Sequence, residues 1–224
     1  MVRPAVLFFD VNETLLDMSG LAPDFERLFG SRDPMGEWFA RMLHGSLVAN
    51  VVGTHRPFGL IGAEALMVLA QRRGIDVSPA DAAATVERMR GLPPHPDVAP
   101  ALDRLKANGF RLIALTNSST DAMTAQLQNA GIADRFEAGI SVDSVGRFKP
   151  APEVYLHAAM RADTDVDRAM MVAAHDWDIV GARSVGMPGA FVARPSVVWG
   201  MPNNPPEVVA GDLEGIAHQL VGME

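Results

Sequence analysis

Residues 5–9 form an unbroken apolar run that stops at Asp10. A short run without polar alternation is the pattern of a strand buried on both faces, and the acid then falls at the strand's carboxyl end. Runs of the same kind recur at 112–115 before Thr116 and Asn117, at 170–174 before His175, and at 189–192. A last strand is read near 208–209. Helical spacing fills the gaps at 119–130, 152–162 and 178–185, punctuated by Gly131, Pro152 and Gly186, and 213–221 reads as a closing helix. Strands alternating with helices predict right-handed βαβ units, hence an α/β chain with a Rossmann-like, doubly wound parallel sheet. Ligands of such sheets lie beyond the carboxyl ends of the strands, where Asp10, Thr116, Asn117 and His175 converge.

From about residue 18 to 92 the pattern changes. No strand-like run occurs there, whereas 35–51, 61–73 and 78–90 carry helical apolar spacing. This predicts a helical cap inserted after the first strand, with 1–17 and 93–224 as the core domain and 18–92 as the cap domain. The proline-rich stretch 91–96 is the expected return linker, because proline disfavours helix and stiffens the chain.

Composition narrows the function. The 224 residues are 48% hydrophobic and 21% charged, ordinary values for a globular chain. A formal charge of -8 without a dense Lys/Arg stripe argues against nucleic acid and favours a small-molecule partner. There is no cysteine, which excludes disulfides, thiolate metal sites and a Cys nucleophile. The run 5–9 is too short for a leader or a membrane span, so a cytoplasmic protein with no membrane partner is expected.

At the first strand end Asp10 stands beside Asn12, Glu13 and Thr14, where loop N–H groups can surround it. This is the setting of a nucleophile, or of a buried Asp that only terminates a strand. Asp10 to Thr14, then Thr116–Asn117, Lys149–Pro150 and His175 to Asp178 follow one another along the chain. This order resembles the haloacid dehalogenase superfamily, with its Asp-x-x-x-Thr loop, its Ser/Thr, its Lys and its acidic stretch. The resemblance spans nearly the whole chain.

Superfamily members that transfer phosphate carry a second Asp two residues after the nucleophile, where this chain has Asn12. They also place a Mg²⁺-binding acid four residues before the Asp corresponding to Asp178, where this chain has Ala174; Asp176 lies two positions out of register. Further positions resemble the (S)-2-haloacid dehalogenase branch: Arg41 in the first long cap helix, Asn117 after Thr116, Tyr155 after Lys149–Pro150, and Trp177 before Asp178. Singly these residues are ordinary surface charges and packing aromatics; their joint order carries the resemblance.

The resemblance implies hydrolysis of short 2-haloacids through an ester on Asp10, with no metal and no cofactor. Arg41 and Asn117 would bind the leaving halide, Lys149 would hold Asp10 ionised, and Thr14, Thr116 and loop N–H groups would bind the substrate carboxylate. Tyr155 and Trp177 would complete the substrate and halide site. Glu13 and His175 replace the Gly and Asn of commoner dehalogenases and resemble a subgroup that activates water with a His/Glu dyad, although His175 could simply hydrogen-bond the loop. Asp178 either pairs with Lys149 or is itself the base, and Ala173 lacks the hydroxyl of the family's serine. Relatives commonly form homodimers, and the apolar run 66–70 could support one, as could burial within one chain.

Two other readings stay open, a Mg²⁺-dependent phosphatase with altered ligands and a catalytically silent binding module. His44, His55, His95, His157 and His218 show no zinc spacing and are read as structural or surface residues.

Overall fold

The computed structural model describes residues 3–195 and 197–223. Its strands are β1 (Val6–Phe9), β2 (Arg111–Thr116), β3 (Ala138–Ser141), β4 (Ala169–Ala173), β5 (Gly189–Val192) and β6 (Val208–Ala210). They form one sheet in the order β3-β2-β1-β4-β5-β6, with every pairing parallel. The chain steps outward from β1 through β2 to β3, then crosses back to lay β4 on the other flank of β1. This reversal makes the switch point at which a crevice opens beyond the strand ends. Asp10 leaves β1 and His175 leaves β4 at that crevice. All four residues of β1 are fully buried, as an uninterrupted apolar run in a central strand requires.

The helices are α1 (Ala22–Phe29), α2 (Pro34–Val52), α3 (Phe58–Arg72), α4 (Pro79–Glu87), α5 (Val98–Ala107), α6 (Thr120–Asn129), α7 (Pro152–Arg161), α8 (Asp176–Ser184) and α9 (Leu213–Val221). Those from α1 to α4 form the helical insertion after β1. The outgoing and returning segments run side by side: Asp17 N donates to Pro93 O at 2.8 Å, and His95 N donates to Leu15 O at 2.9 Å. Asn50 near the end of α2 ties the insertion to the core at both polar groups of Phe148. Its Nδ2 donates to Phe148 O at 2.8 Å and its Oδ1 accepts from Phe148 N at 2.9 Å.

Three elements escape the apolar pattern. β3 is an edge strand whose first two residues, Ala138 and Gly139, are exposed, so it lacks a continuous apolar run. α1 and α5 are short helices beside the two crossings between insertion and core. The run 66–70 is largely spent inside the cap, with Leu66, Leu69 and Ala70 buried. Exposed apolar side chains lie instead at Leu47, Val48, Val51 and Val52 of α2 and at Leu60 and Val68 of α3. Among the described residues no helix is long and apolar enough to cross a membrane.

Candidate active site

Asp10 is almost completely enclosed and is held from three sides. Lys149 Nζ donates to its Oδ1 at 2.7 Å, Thr14 Oγ1 donates to its Oδ2 at 2.7 Å, and His175 Nδ1 lies 3.2 Å from Oδ2. Burial pushes the carboxyl pKa up, but the charges and hydrogen bonds of Lys149 and His175 outweigh it and hold Asp10 well below the usual carboxylate range. Asp10 is therefore held as an anion across the neutral range.

Lys149 comes from the loop between β3 and α7 and is fully buried. Besides Asp10 it donates to Asp178 Oδ2 at 2.6 Å and to Leu115 O at 3.0 Å. Burial opposes its charge, yet the two carboxylates raise its pKa, so the ammonium is retained. Asp178 also accepts from Tyr155 OH at 2.6 Å. Burial, followed by the neighbouring Asp10 charge, pushes the Asp178 carboxyl up against the pull of Lys149.

His175 is sandwiched between Phe39 and Trp177, with ring centroids 5.5 and 5.1 Å away. Burial disfavours its cation, but the hydrogen bond and charge of Asp10, then the charge of Glu13, raise its pKa above the ordinary histidine value. Glu13 sits in a left-handed backbone conformation, φ 65°, and burial raises its pKa while His175 pulls it back.

A small cavity of about 10 Å³ lies over Asp10. Phe39, Leu43 and Phe58 of the cap wall it from above, and Asn12, Asn117, His175 and Trp177 of the core from below. The Asn117 amide is oriented by its Oδ1, which accepts from Lys149 N at 2.8 Å. Among the described residues its buried Nδ2 finds no hydrogen-bond partner, an uncommon state for a buried donor and one that an anion would relieve.

The residues do not fit a divalent cation. Both Asp10 oxygens already face cationic or donor groups, and Ala174 supplies no side-chain oxygen. Asp176 accepts from Trp177 N at 2.7 Å and packs toward Gly200. Among the described residues no three His, Asp or Glu side chains converge as a metal cluster.

A sequence profile of the haloacid dehalogenase-like hydrolases matches residues 4–186. The chain belongs to the haloacid dehalogenase-like hydrolases. Within this family it is 30% identical to the (S)-2-haloacid dehalogenase of Xanthobacter autotrophicus over 87% of this chain and 76% of that protein. It is 25% identical to haloacetate dehalogenase H-2 of Moraxella sp. (strain B) over 98% of this chain and 99% of that one. Among solved structures, the L-2-haloacid dehalogenase of Xanthobacter autotrophicus with chloropropionic acid covalently bound superposes with a TM-score of 0.90, covering 100% of both chains at 24% identity.

The dehalogenase-like site assembles most, but not all, of the residues singled out in the sequence. Asp10, Thr14, Lys149, His175 and Asp178 form one network, and Asn117 and Trp177 line its cavity. Arg41 is not brought there. Its guanidinium pairs with Glu37 at 3.2 Å and lines a separate groove between α2 and α3. The cap residues that line the cavity are Phe39, which packs on His175, Leu43 and Phe58, none of them marked by a motif. Tyr155 lies behind Asp178 rather than in the cavity, and Thr116 Oγ1 accepts from Ser118 N at 3.1 Å to shape the loop. The Thr14 hydroxyl is taken up by Asp10 and by Ala174 N, which donates to it at 2.9 Å. His95 bonds the Glu13 carbonyl at 3.0 Å, a structural use.

Proposed function

We propose that this hydrolase converts short-chain 2-haloacids to 2-hydroxyacids through an ester on Asp10, without a metal ion. The observation that carries the reading is a buried carboxylate, bonded by Lys149, facing a small cavity walled by Phe39, Leu43, Phe58 and Trp177 and by the Asn117 amide. An Asp10 oxygen attacks the carbon that bears the halogen, the carbon–halogen bond breaks with its electron pair, and the carbon is inverted. Halide forms beside the Asn117 amide, the donor placed where negative charge develops. Lys149 keeps Asp10 anionic and cannot itself reach the cavity without giving up that bond. Loop N–H groups after β1 take the substrate carboxylate.

Water then attacks Cγ of the ester while the His175 imidazole takes its proton, with the Glu13 carboxylate supporting the imidazolium. Collapse breaks the Cγ–O bond, the departing alkoxide takes the proton held by His175, and the second proton of the water leaves the Asp10 carboxyl for solvent, which restores its charge. The product oxygen thus comes from Asp10 and the water oxygen enters Asp10. Asp178, dry and engaged by Lys149 and Tyr155, orients the lysine. Preference for (S) substrates is carried over from the named relatives. The helices of 18–92 act as one cap unit over the core of 1–17 and 93–224, and two copies pair through the exposed apolar side chains of α2 and α3. The protein works in the cytoplasm.

The test is halide release from (S)-2-chloropropionate and chloroacetate with excess chelator. Wild type releases halide; Asp10→Asn loses release by at least about 10³-fold, the scale on which removal of a nucleophile acts. His175→Ala releases one halide per site and accumulates an ester on Asp10, seen by peptide mass. Absence of halide release with Mg²⁺-dependent phosphate hydrolysis would replace this reading by a phosphatase.

A further inference from the structure

The left-handed turn at Glu13 is a conformation that L residues seldom hold unaided, and two side chains from outside the loop support it. His95 bonds the Glu13 carbonyl, and Arg194 grips the next one: Nη2 and Nε donate to Thr14 O at 2.7 and 3.2 Å. Arg194 follows β5 and is 5% exposed. Its Nη1 donates to both oxygens of Asp97, at 2.8 and 2.7 Å, and Asp97 also accepts from Leu213 N at 2.6 Å, the first residue of α9. One guanidinium therefore joins a carbonyl of the catalytic loop to the starts of α5 and α9. A planar fork makes these bonds simultaneously, whereas a single ammonium cannot.

The Thr14 side chain has separate support. It is fixed between Asp10 and Ala174 N, so the bonds that orient the nucleophile survive loss of Arg194. What depends on Arg194 is the backbone that aims Glu13.

We propose that Arg194 is a positioning residue for the second half of the reaction: by holding the Thr14 carbonyl it keeps the backbone of Glu13 left-handed. This rests on the reading that an Asp10 ester is hydrolysed with the help of Glu13 and His175.

Rapid-quench kinetics with (S)-2-chloropropionate separates the two steps. In Arg194→Met the halide burst stays within about threefold of wild type, while ester decay slows by about 10- to 100-fold, the scale of misplacing a catalytic group by a fraction of an ångström to an ångström. Arg194→Lys lies between, and it carries the same comparison if Arg194→Met does not fold. In a Glu13→Ala background the Arg194 substitution adds little further slowing, because the group it positions is already gone. Equal slowing of burst and decay, or full multiplicative losses in the double variant, overturns the proposal. A wild-type protein that releases no halide at all overturns instead the dehalogenase reading beneath it.

Discussion

At the residue scale the charge on Asp10 governs His175. In the resting enzyme the Asp10 anion raises the imidazole pKa against burial, so His175 carries a proton below that raised value and reinforces the ionised nucleophile. In the proposed reaction, alkylation would turn Asp10 into a neutral ester and remove the first of the raising influences, leaving burial opposed only by the more distant charges of Glu13 and Asp178. Acid chemistry thus gives way to base chemistry in one side chain. The expected pH dependence has a clear sign. The halide burst is nearly flat across neutral pH, because the depressed Asp10 stays ionised. Ester decay rises with pH as His175 deprotonates and then levels, with a midpoint below the imidazole pKa of the free enzyme. Quenched single turnovers over a pH series check this; ester decay that falls with rising pH refutes it, as does an acid limb that persists in His175→Gln.

The same scale explains what was legible beforehand. Asp10, Lys149, His175 and Asp178 follow strand ends or motif order and could be read from the chain. Arg41 could not, since two positions along a helix turn a side chain by roughly 200° and Phe39 takes the inward direction. Arg194 and Asp97 belong to no motif and acquire a purpose only from the distances between them.

At the element scale the site depends on how closely α8 approaches the segment that carries Lys149 and Tyr155. At Gly181 an added Cβ would stand 2.5 Å from Pro150 Cβ and 2.6 Å from the Tyr155 hydroxyl oxygen. A side chain there must push the hydroxyl that donates to Asp178. Gly181→Ala is expected to cost about 1–3 kcal/mol in unfolding free energy, as overpacking does, and to lower turnover. Urea unfolding and initial rates measure both; a neutral outcome in each would mean that α8 yields freely. The strands and long helices of this region were predictable because buried parallel strands and amphipathic helices leave strong periodic patterns. β3 was not, for an exposed edge strand has no apolar run to read.

At the scale of the whole molecule, the cap presents apolar side chains to solvent. Val51 is 87% exposed and lies beside Leu47, Val48 and Val52 on α2. The proposed pairing of two copies would cover this patch in a self-complementary contact. Sedimentation should show a dimer for wild type and a monomer for Val51→Glu, because pairing would bury an unpartnered charge. A monomeric wild type at high micromolar concentration would rule the pairing out.

The central place of β1 bears finally on how the enzyme is made. Val6 pairs with Arg111 on one flank and with Ala169 on the other, so the strand that ends in Asp10 finds its second neighbour only after about 160 further residues have been made. Contacts so distant in sequence form late and slowly. A nascent chain therefore carries Asp10 as an ordinary hydrated carboxylate, without the lysine and the imidazole that make it reactive. The full set of charges around Asp10 assembles only once β4 and His175 have been made, and a chain interrupted before β4 lacks it.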